Sequence, residues 1–227
     1  MIVWSLFDGS GLMAQPWAEA GYTCYCFNYD GADHGDYARL GAKVEHENIH
    51  YINAWIDNRL DFGVAPDIIF AFPPCTDLAV SGSRHFEAKR KKNSTFQVEA
   101  VITCKVAARL AKKYNVPYMI ENPVSVLSSL WRKPDYTFNP FEYGGYLPED
   151  DKHPFFPDII PARDGYNKKT CLWAGNGFVM PRKNAVCVSN EDNPGWAKLG
   201  SKSARTKVIR SLTPRGFAKA VYEANHV

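Results

Sequence analysis

Short apolar runs alternating with helical stretches predict an α/β fold for this 227-residue chain, with a mostly parallel sheet and helices on both faces. Three observations carry the prediction. The chain opens as an apolar run, a glycine-bearing turn, a helical stretch and a second apolar run, which is a right-handed βαβ start. Two further strand-like runs, "PDIIFAF" and "VPYMIENP", flank a long helical pattern. The composition, 45% hydrophobic and 22% charged, suits a soluble globular chain long enough for one sizeable core, so residues 1–227 read as a single domain.

In order along the chain, "MIVWSLFD" is a strand broken by "GSG", and "LMAQPWAEAG" is a helix closed by Gly21. "YTCYCFNYD" is a second strand with a polar end. "PDIIFAF" (66–72) is another. "STFQVEAVITCKVAARLAKKYN" (94–115) is one long amphipathic helix with the capping pattern Ser94 to Gln97. "VPYMIENP" is a strand ended by Pro123. From 132 to 166, prolines at 134, 140, 148, 154, 157 and 161 among many aromatics indicate irregular structure lying over a core, or a lid. There is no internal repeat and no low-complexity tract.

The start "MIVWSLFDGSG" has neither the basic region nor the cleavage site of a signal peptide, and no apolar run approaches the ~20 residues of a bilayer span. A cytoplasmic protein is expected. Its six cysteines then read as reduced thiols, and no pair has the spacing of a structural zinc knuckle, so no metal is expected. The net charge of +3 is small but uneven. "RHFEAKRKKN" (84–93) and "KSARTKVIRSLTPRGFAK" (202–219) are basic, reading either as solvated faces or as phosphate-binding tracks.

In a doubly wound sheet, ligands bind beyond the carboxyl ends of the strands. "FDGSG", "FPPC" and "IENP" each end a strand there and should share one crevice. Gly9 and Gly11 would let the backbone approach a ligand, and Asn28 and Asp30 could hold ribose hydroxyls or simply be solvated. Cys75, after two prolines at a strand end, sits where a nucleophile would, with Arg84 and the lysines beyond it expected to lower its pKa. Glu121 could hold a protonated ring nitrogen, making an aromatic base electrophilic. Cysteine plus acid suits addition to a pyrimidine ring. Phe86, Tyr143 and Tyr146 could stack on bases, but packing is the expected role of aromatics at this density.

"SLFDGSGL", "FPPCTDLAVSG" and "IENP", in that order, resemble the cofactor-binding, nucleophile and glutamate motifs of the cytosine-5 DNA methyltransferases, in the manner of small phage and prophage members. The resemblance implies a Rossmann-like methyltransferase fold that binds S-adenosyl-L-methionine and acts on a cytosine flipped out of double-stranded DNA. Phe7, Asp8, Gly9, Ser10, Gly11, Asn28, Tyr29, Asp30, Pro73 and Thr213 would line the cofactor pocket. Pro74 and Cys75 would be the nucleophile pair, with Glu121 and Asn122 clamping the pyrimidine. "YNKKTCLW" stands at the family's Gln-x-Arg-x-Arg strand, so Asn167 and Lys169 would contact base or phosphate. "RSLTPRGFAKAVYEAN" resembles the C-terminal helix, with Thr213 and Pro214 at its start. Ser81, Arg84, Lys89, Arg90, Lys91, Arg205, Lys207 and Arg210 would grip the nucleic acid, the loop from Ser81 to Asn93 closing over it.

The chain departs from the family at Ser5, Leu12, Asn28 and Thr76, and in carrying lysines where the second base-contacting strand has arginines. It also lacks room for a separate target-recognition domain: only the stretch 174–209 separates "CLW" from the closing segment. A bacterial or phage-infected cell and a monomer are the expected setting. A transfer RNA cytosine methyltransferase fits the same motifs, and a non-catalytic decoy could use the same fold. An amino-methyltransferase would need a polar residue where Phe72 precedes the prolines.

Overall fold

A computed structural model describes residues 1–31, 37–57, 59–188, 199 and 203–226. One seven-stranded sheet organises them, in the order β3-β2-β1-β4-β5-β7-β6. The strands are β1 (Ile2–Leu6), β2 (Thr23–Asn28), β3 (Ile49–Asn53), β4 (Ile68–Ala71), β5 (Tyr118–Pro123), β6 (Tyr136–Phe138) and β7 (Thr170–Gly175). The first five are parallel, in the 3-2-1-4-5 order of a doubly wound sheet. β7 then runs antiparallel between β5 and β6. The fold is a Rossmann-like α/β fold.

Helices cover both faces. On one side lie α1 (Gln15–Glu19) and the C-terminal α7 (Arg215–Asn225), whose Trp17, Phe217 and Ala218 pack with Val3, Phe70 and Met119 of the strands. On the other lie α3 (Phe96–Cys104), α4 (Val106–Tyr114) and the short α5 (Leu127–Leu130), with Val101, Leu110 and Leu127 against Trp4, Ile69 and Ile120. Strands covered on both faces must be apolar throughout, and all four residues of β4 are buried. Each large side chain so buried contributes roughly 1.5–3 kcal/mol. Two more helices, α2 (Phe86–Lys92) and α6 (Ala204–Ser211), flank the carboxyl edge of the sheet. Among the described residues no helix is long and apolar enough to cross a membrane.

Several expectations need correction. The helix over 94–115 is two helices broken at Lys105, and its first cap is Thr95, without the Ser94 to Gln97 pattern. Asn93 Oδ1 organises that start by accepting from the Thr95 amide at 2.9 Å and hydroxyl at 2.8 Å. The segment 81–93 is not a loop: a 3₁₀ turn over Val80–His85 leads into α2. The helix over 12–21 is only Gln15–Glu19. β3 went unrecognised because "IHYIN" mixes polar and apolar residues with one face half-buried. The stretch 132–166 holds a short strand and 3₁₀ turns, otherwise irregular.

Candidate active site

The turns after β1, β4 and β5 border a crevice of about 870 Å³ at the carboxyl ends of the parallel strands. Phe7, Asn28, Tyr29, Pro73, Pro74, Cys75, Ser81, Glu121 and Arg210 all line it. Phe7 takes φ 59°, a left-handed conformation rare for an aromatic residue, and so turns the chain sharply off β1 at the crevice wall.

The nucleophile turn is built for fixed placement. Two prolines restrict the backbone before Cys75, and the amides of Leu78 and Ala79 close a helical turn onto the Cys75 carbonyl at 3.0 and 2.8 Å. Asn122, fully buried on β5, donates from Nδ2 to the Pro73 carbonyl at 3.1 Å. It therefore braces the turn from beneath, and its buried Oδ1 has no partner among the described residues. One strand step earlier, Glu121 points the other way, into the crevice. Its carboxylate has no hydrogen-bond or ion-pair partner among the described residues. Burial pushes its pKa up, partly offset by the Lys168 ammonium.

Cys75 is half-buried, and its thiol is also pushed up, first by burial and then by the Glu121 charge, with Lys168 opposing both. This corrects the expectation that Arg84 and its neighbours lower it. Arg84 lies exposed on the 3₁₀ turn and donates to His85 Nε2 at 3.1 Å, outside the crevice. The cation that acts on the thiol is Lys168.

Lys168 also replaces Lys169 as the crevice lysine. Because β7 is antiparallel, its entry lies beside the exit of β5, with Pro123 opposite Thr170 and Glu121 opposite Leu172. Adjacent residues there face opposite ways, so one position decides which lysine enters. Lys168 lines the crevice, its ammonium donating to the Arg210 carbonyl at 2.8 Å; Lys169 and Asn167 are exposed.

The glycine turn differs most from expectation. Asp8, Gly9, Ser10 and Gly11 are buried and do not line the crevice. Asp8 faces its own loop: it accepts from Ser5 Oγ at 2.8 Å, the Ser10 amide and hydroxyl at 3.1 and 3.0 Å, and the Gly11 amide at 2.8 Å. Burial raises its pKa against those four bonds. Ser5 is thus explained as a hydroxyl donor to Asp8. Gly9 lacks a side chain because a Cβ there would run into the Tyr37 ring, and one at Gly11 into the Tyr51 hydroxyl. The glycines admit two tyrosines. Tyr37 then borders the crevice itself, hydrogen-bonded at 2.9 Å to Ser211 at the end of α6.

The remaining positions divide. Asp30 is exposed beyond the end of β2 and is not part of the crevice lining, its amide donating to Asn53 Oδ1 at 3.1 Å and its carboxylate accepting from the crevice residue Asn28 at 3.3 Å. Thr213 is buried beside a side cavity of about 10 Å³ that Glu121, Phe72 and Lys168 share, the size of one water. Arg90 and Lys91 face solvent on α2, Lys91 paired with Glu87 at 3.1 Å. Lys89 is bound to the protein itself, as described below. Arg205 is exposed and lies over the Phe156 ring at 5.5 Å, and Lys207 is half-buried off the crevice wall. Phe86, Tyr143 and Tyr146 are packing residues, against Phe96, against Phe138 and Phe217, and against Tyr143 respectively.

Sequence reading missed Trp55, Asp57, Asp77 and Ser211 at the crevice. Trp55 is 69% exposed and meets Tyr29, 44% exposed, edge to face at 5.4 Å. An exposed tryptophan directly beyond a strand end was the available signal, lost with β3.

No family model matches this sequence, and no curated protein matches it. Among solved structures it is similar to the glycopeptide N-methyltransferase MtfA complexed with S-adenosyl-L-homocysteine, at 9% identity over 60% of this chain, with a TM-score of 0.31. It is also similar to a putative methyltransferase from Thermoplasma acidophilum, at 12% identity over 77% of this chain, with a TM-score of 0.38. The chain spans 50% of the first structure and 66% of the second.

Proposed function

We propose that this protein is an S-adenosyl-L-methionine-dependent methyltransferase that acts on carbon 5 of cytosine in DNA, with Cys75 as nucleophile and Glu121 as the acid that holds the base. The observation that carries the reading is the meeting of these two groups at adjacent strand ends, each altering the electrostatics of one crevice, with Lys168 between them in effect.

The residues present fit such a cofactor at its nucleoside end. Tyr29 and Trp55 offer exposed aromatic faces, and polar atoms lie at the same end: the Asn28 amide, which donates to Asp30 Oδ1 at 3.3 Å, and the Asp57 carboxylate, which Arg59 holds at 2.6 Å. When bound, the cofactor supplies an electrophilic methyl group. Every other role falls to the chain. A raised Glu121 pKa keeps the carboxyl protonated to higher pH, so it can donate to a ring nitrogen and draw electron density from carbon 6 of the base. The Cys75 sulfur adds there once its proton is lost, and the same sulfur–carbon bond breaks when carbon 5 later gives up its proton. Lys168 lowers the cost of the thiolate, and Asn122 holds the turn that aims it.

Incubation with methyl-labelled S-adenosyl-L-methionine and unmodified duplex DNA, followed by nucleoside analysis, tests the proposal. 5-Methylcytosine is the expected product. In a parallel incubation with transfer RNA, label there and none in the duplex would move the substrate to RNA. The tyrosines packed onto the glycine turn favour one second reading, a nucleic-acid-binding protein without catalysis on the same fold. That reading gains if duplex is bound, no label transfers and Cys75→Ser changes nothing.

A further inference from the structure

The first basic segment contains one lysine whose ammonium turns back onto the protein. On α2 the inward positions are Phe86 and Lys89, three apart and so on one face. Phe86 meets Phe96 edge to face at 5.9 Å, docking α2 on α3. Lys89 reaches the other way, across to the nucleophile turn. Its ammonium donates to the Thr76 carbonyl at 2.9 Å and to Asp77 Oδ1 at 2.6 Å. The Gln97 side-chain amide donates to the Asp77 carbonyl at 3.4 Å. Thr76 and Asp77 lie inside the turn that closes onto the Cys75 carbonyl, and Asp77 lines the crevice. The far end of that turn is fastened separately, by the Val80 amide on the Val124 carbonyl at 3.1 Å and a bridge from Ala79 to Ser125.

We infer that Lys89 is a positioning residue for Cys75, pinning Thr76 and Asp77 to α2, and not one of the phosphate contacts that its basic neighbours Arg90 and Lys91 are placed to make. The inference rests on the methyltransferase reading for its effect on rate, but the pin itself is a property of the turn. An ammonium has three donors, and two here are directed at the turn. Arg90 and Lys91 point to solvent. The segment therefore divides its work: one cation faces the nucleophile, others face outward.

The test compares Lys89→Gln, Asp77→Asn, the exchange Lys89→Asp with Asp77→Lys, and Arg90→Gln. Methyl-transfer kinetics, the salt dependence of duplex binding, and amide hydrogen exchange over 76–80 are measured on each. Both single changes at the pin should lower kcat by about fivefold, the upper range for a partly exposed pair. They should leave KM for DNA and the salt slope unaltered, and should speed exchange in the turn by a similar factor. The exchanged pair should recover part of the loss. Arg90→Gln should reduce the salt slope by about one and leave exchange over 76–80 as it is. The inference is overturned if Lys89→Gln reduces the salt slope while Asp77→Asn tightens binding, or if exchange over 76–80 stays unchanged. If the unmodified protein transfers no methyl group, the methyltransferase reading fails. Hydrogen exchange then still decides the pin.

Discussion

The turn after β1 and the turn after β4 sit side by side on one sheet edge, yet they use their polar groups in opposite ways. The first, Phe7 to Gly11, turns inward: Asp8 accepts three bonds from its own loop and one from Ser5 of β1, and two tyrosines fill the space beside the glycines. The second, Phe72 to Ala79, fixes its backbone with prolines, Asn122 and Lys89, and leaves Cys75 and Glu121 facing open space. The first turn satisfies its own polar groups, whereas the second holds a rigid frame around a thiol that opens onto the crevice, the arrangement that the proposed chemistry needs.

The largest expected effect separates the two turns by function. Cys75→Ser should abolish methyl transfer, and Glu121→Gln should reduce kcat by about 10²-fold or more, with cofactor affinity by calorimetry and the thermal midpoint both preserved. An inactive but destabilised Glu121→Gln protein would instead make that residue structural.

Next comes stability. Asp8→Ala removes the acceptor for four buried donor bonds and should cost about 3 kcal/mol in urea unfolding. No single change at Cys75 should approach it. Gly9→Ala should also destabilise, by about 1–3 kcal/mol, because the new methyl meets the Tyr37 ring. In a Tyr37→Ala background that penalty should shrink, and a double-mutant cycle reads the coupling. Additive losses would mean that Gly9 answers to something other than Tyr37.

The smallest effect concerns charge. In a Cys187→Ser background, alkylation of Cys75 followed against pH should give a midpoint above that of an ordinary thiol. Glu121→Gln should lower the midpoint, since the carboxylate charge opposes the thiolate, and Lys168→Gln should raise it. Lys169→Gln should leave it in place. A larger response to Lys169 than to Lys168 would contradict the placement of Lys168 as the crevice lysine.

What the sequence disclosed follows from where the information lies. Apolar runs between prolines and glycines locate β1, β2, β4 and β5, because strands buried on both faces leave a continuous hydrophobic signature. The Pro-Pro-Cys turn and the acid after "MI" stand at strand ends, where chemistry collects in this fold. Two things were hidden. The choice between Lys168 and Lys169 depends on the antiparallel register of β7, which is long-range. Gly11 takes φ 73°, the positive φ expected of a turn glycine, but the purpose of Gly9 depends on Tyr37, and Tyr51 too claims space a ligand was expected to use. The partners of Lys89 were hidden for a related reason: its charge was legible, but its orientation on α2 was not.

The central claim is that the Cys75 sulfur bonds transiently to an extruded cytosine while Glu121 holds the base. Duplex oligonucleotides of varied sequence carrying 5-fluorocytosine, incubated with the protein and S-adenosyl-L-methionine, should yield a denaturation-resistant protein–DNA adduct, because the carbon 5 fluorine cannot leave as the proton does. Peptide mapping should place the linkage on Cys75, and Cys75→Ser should yield none. An adduct mapped to another cysteine, or no adduct with any sequence while the duplex is still bound, would contradict the account.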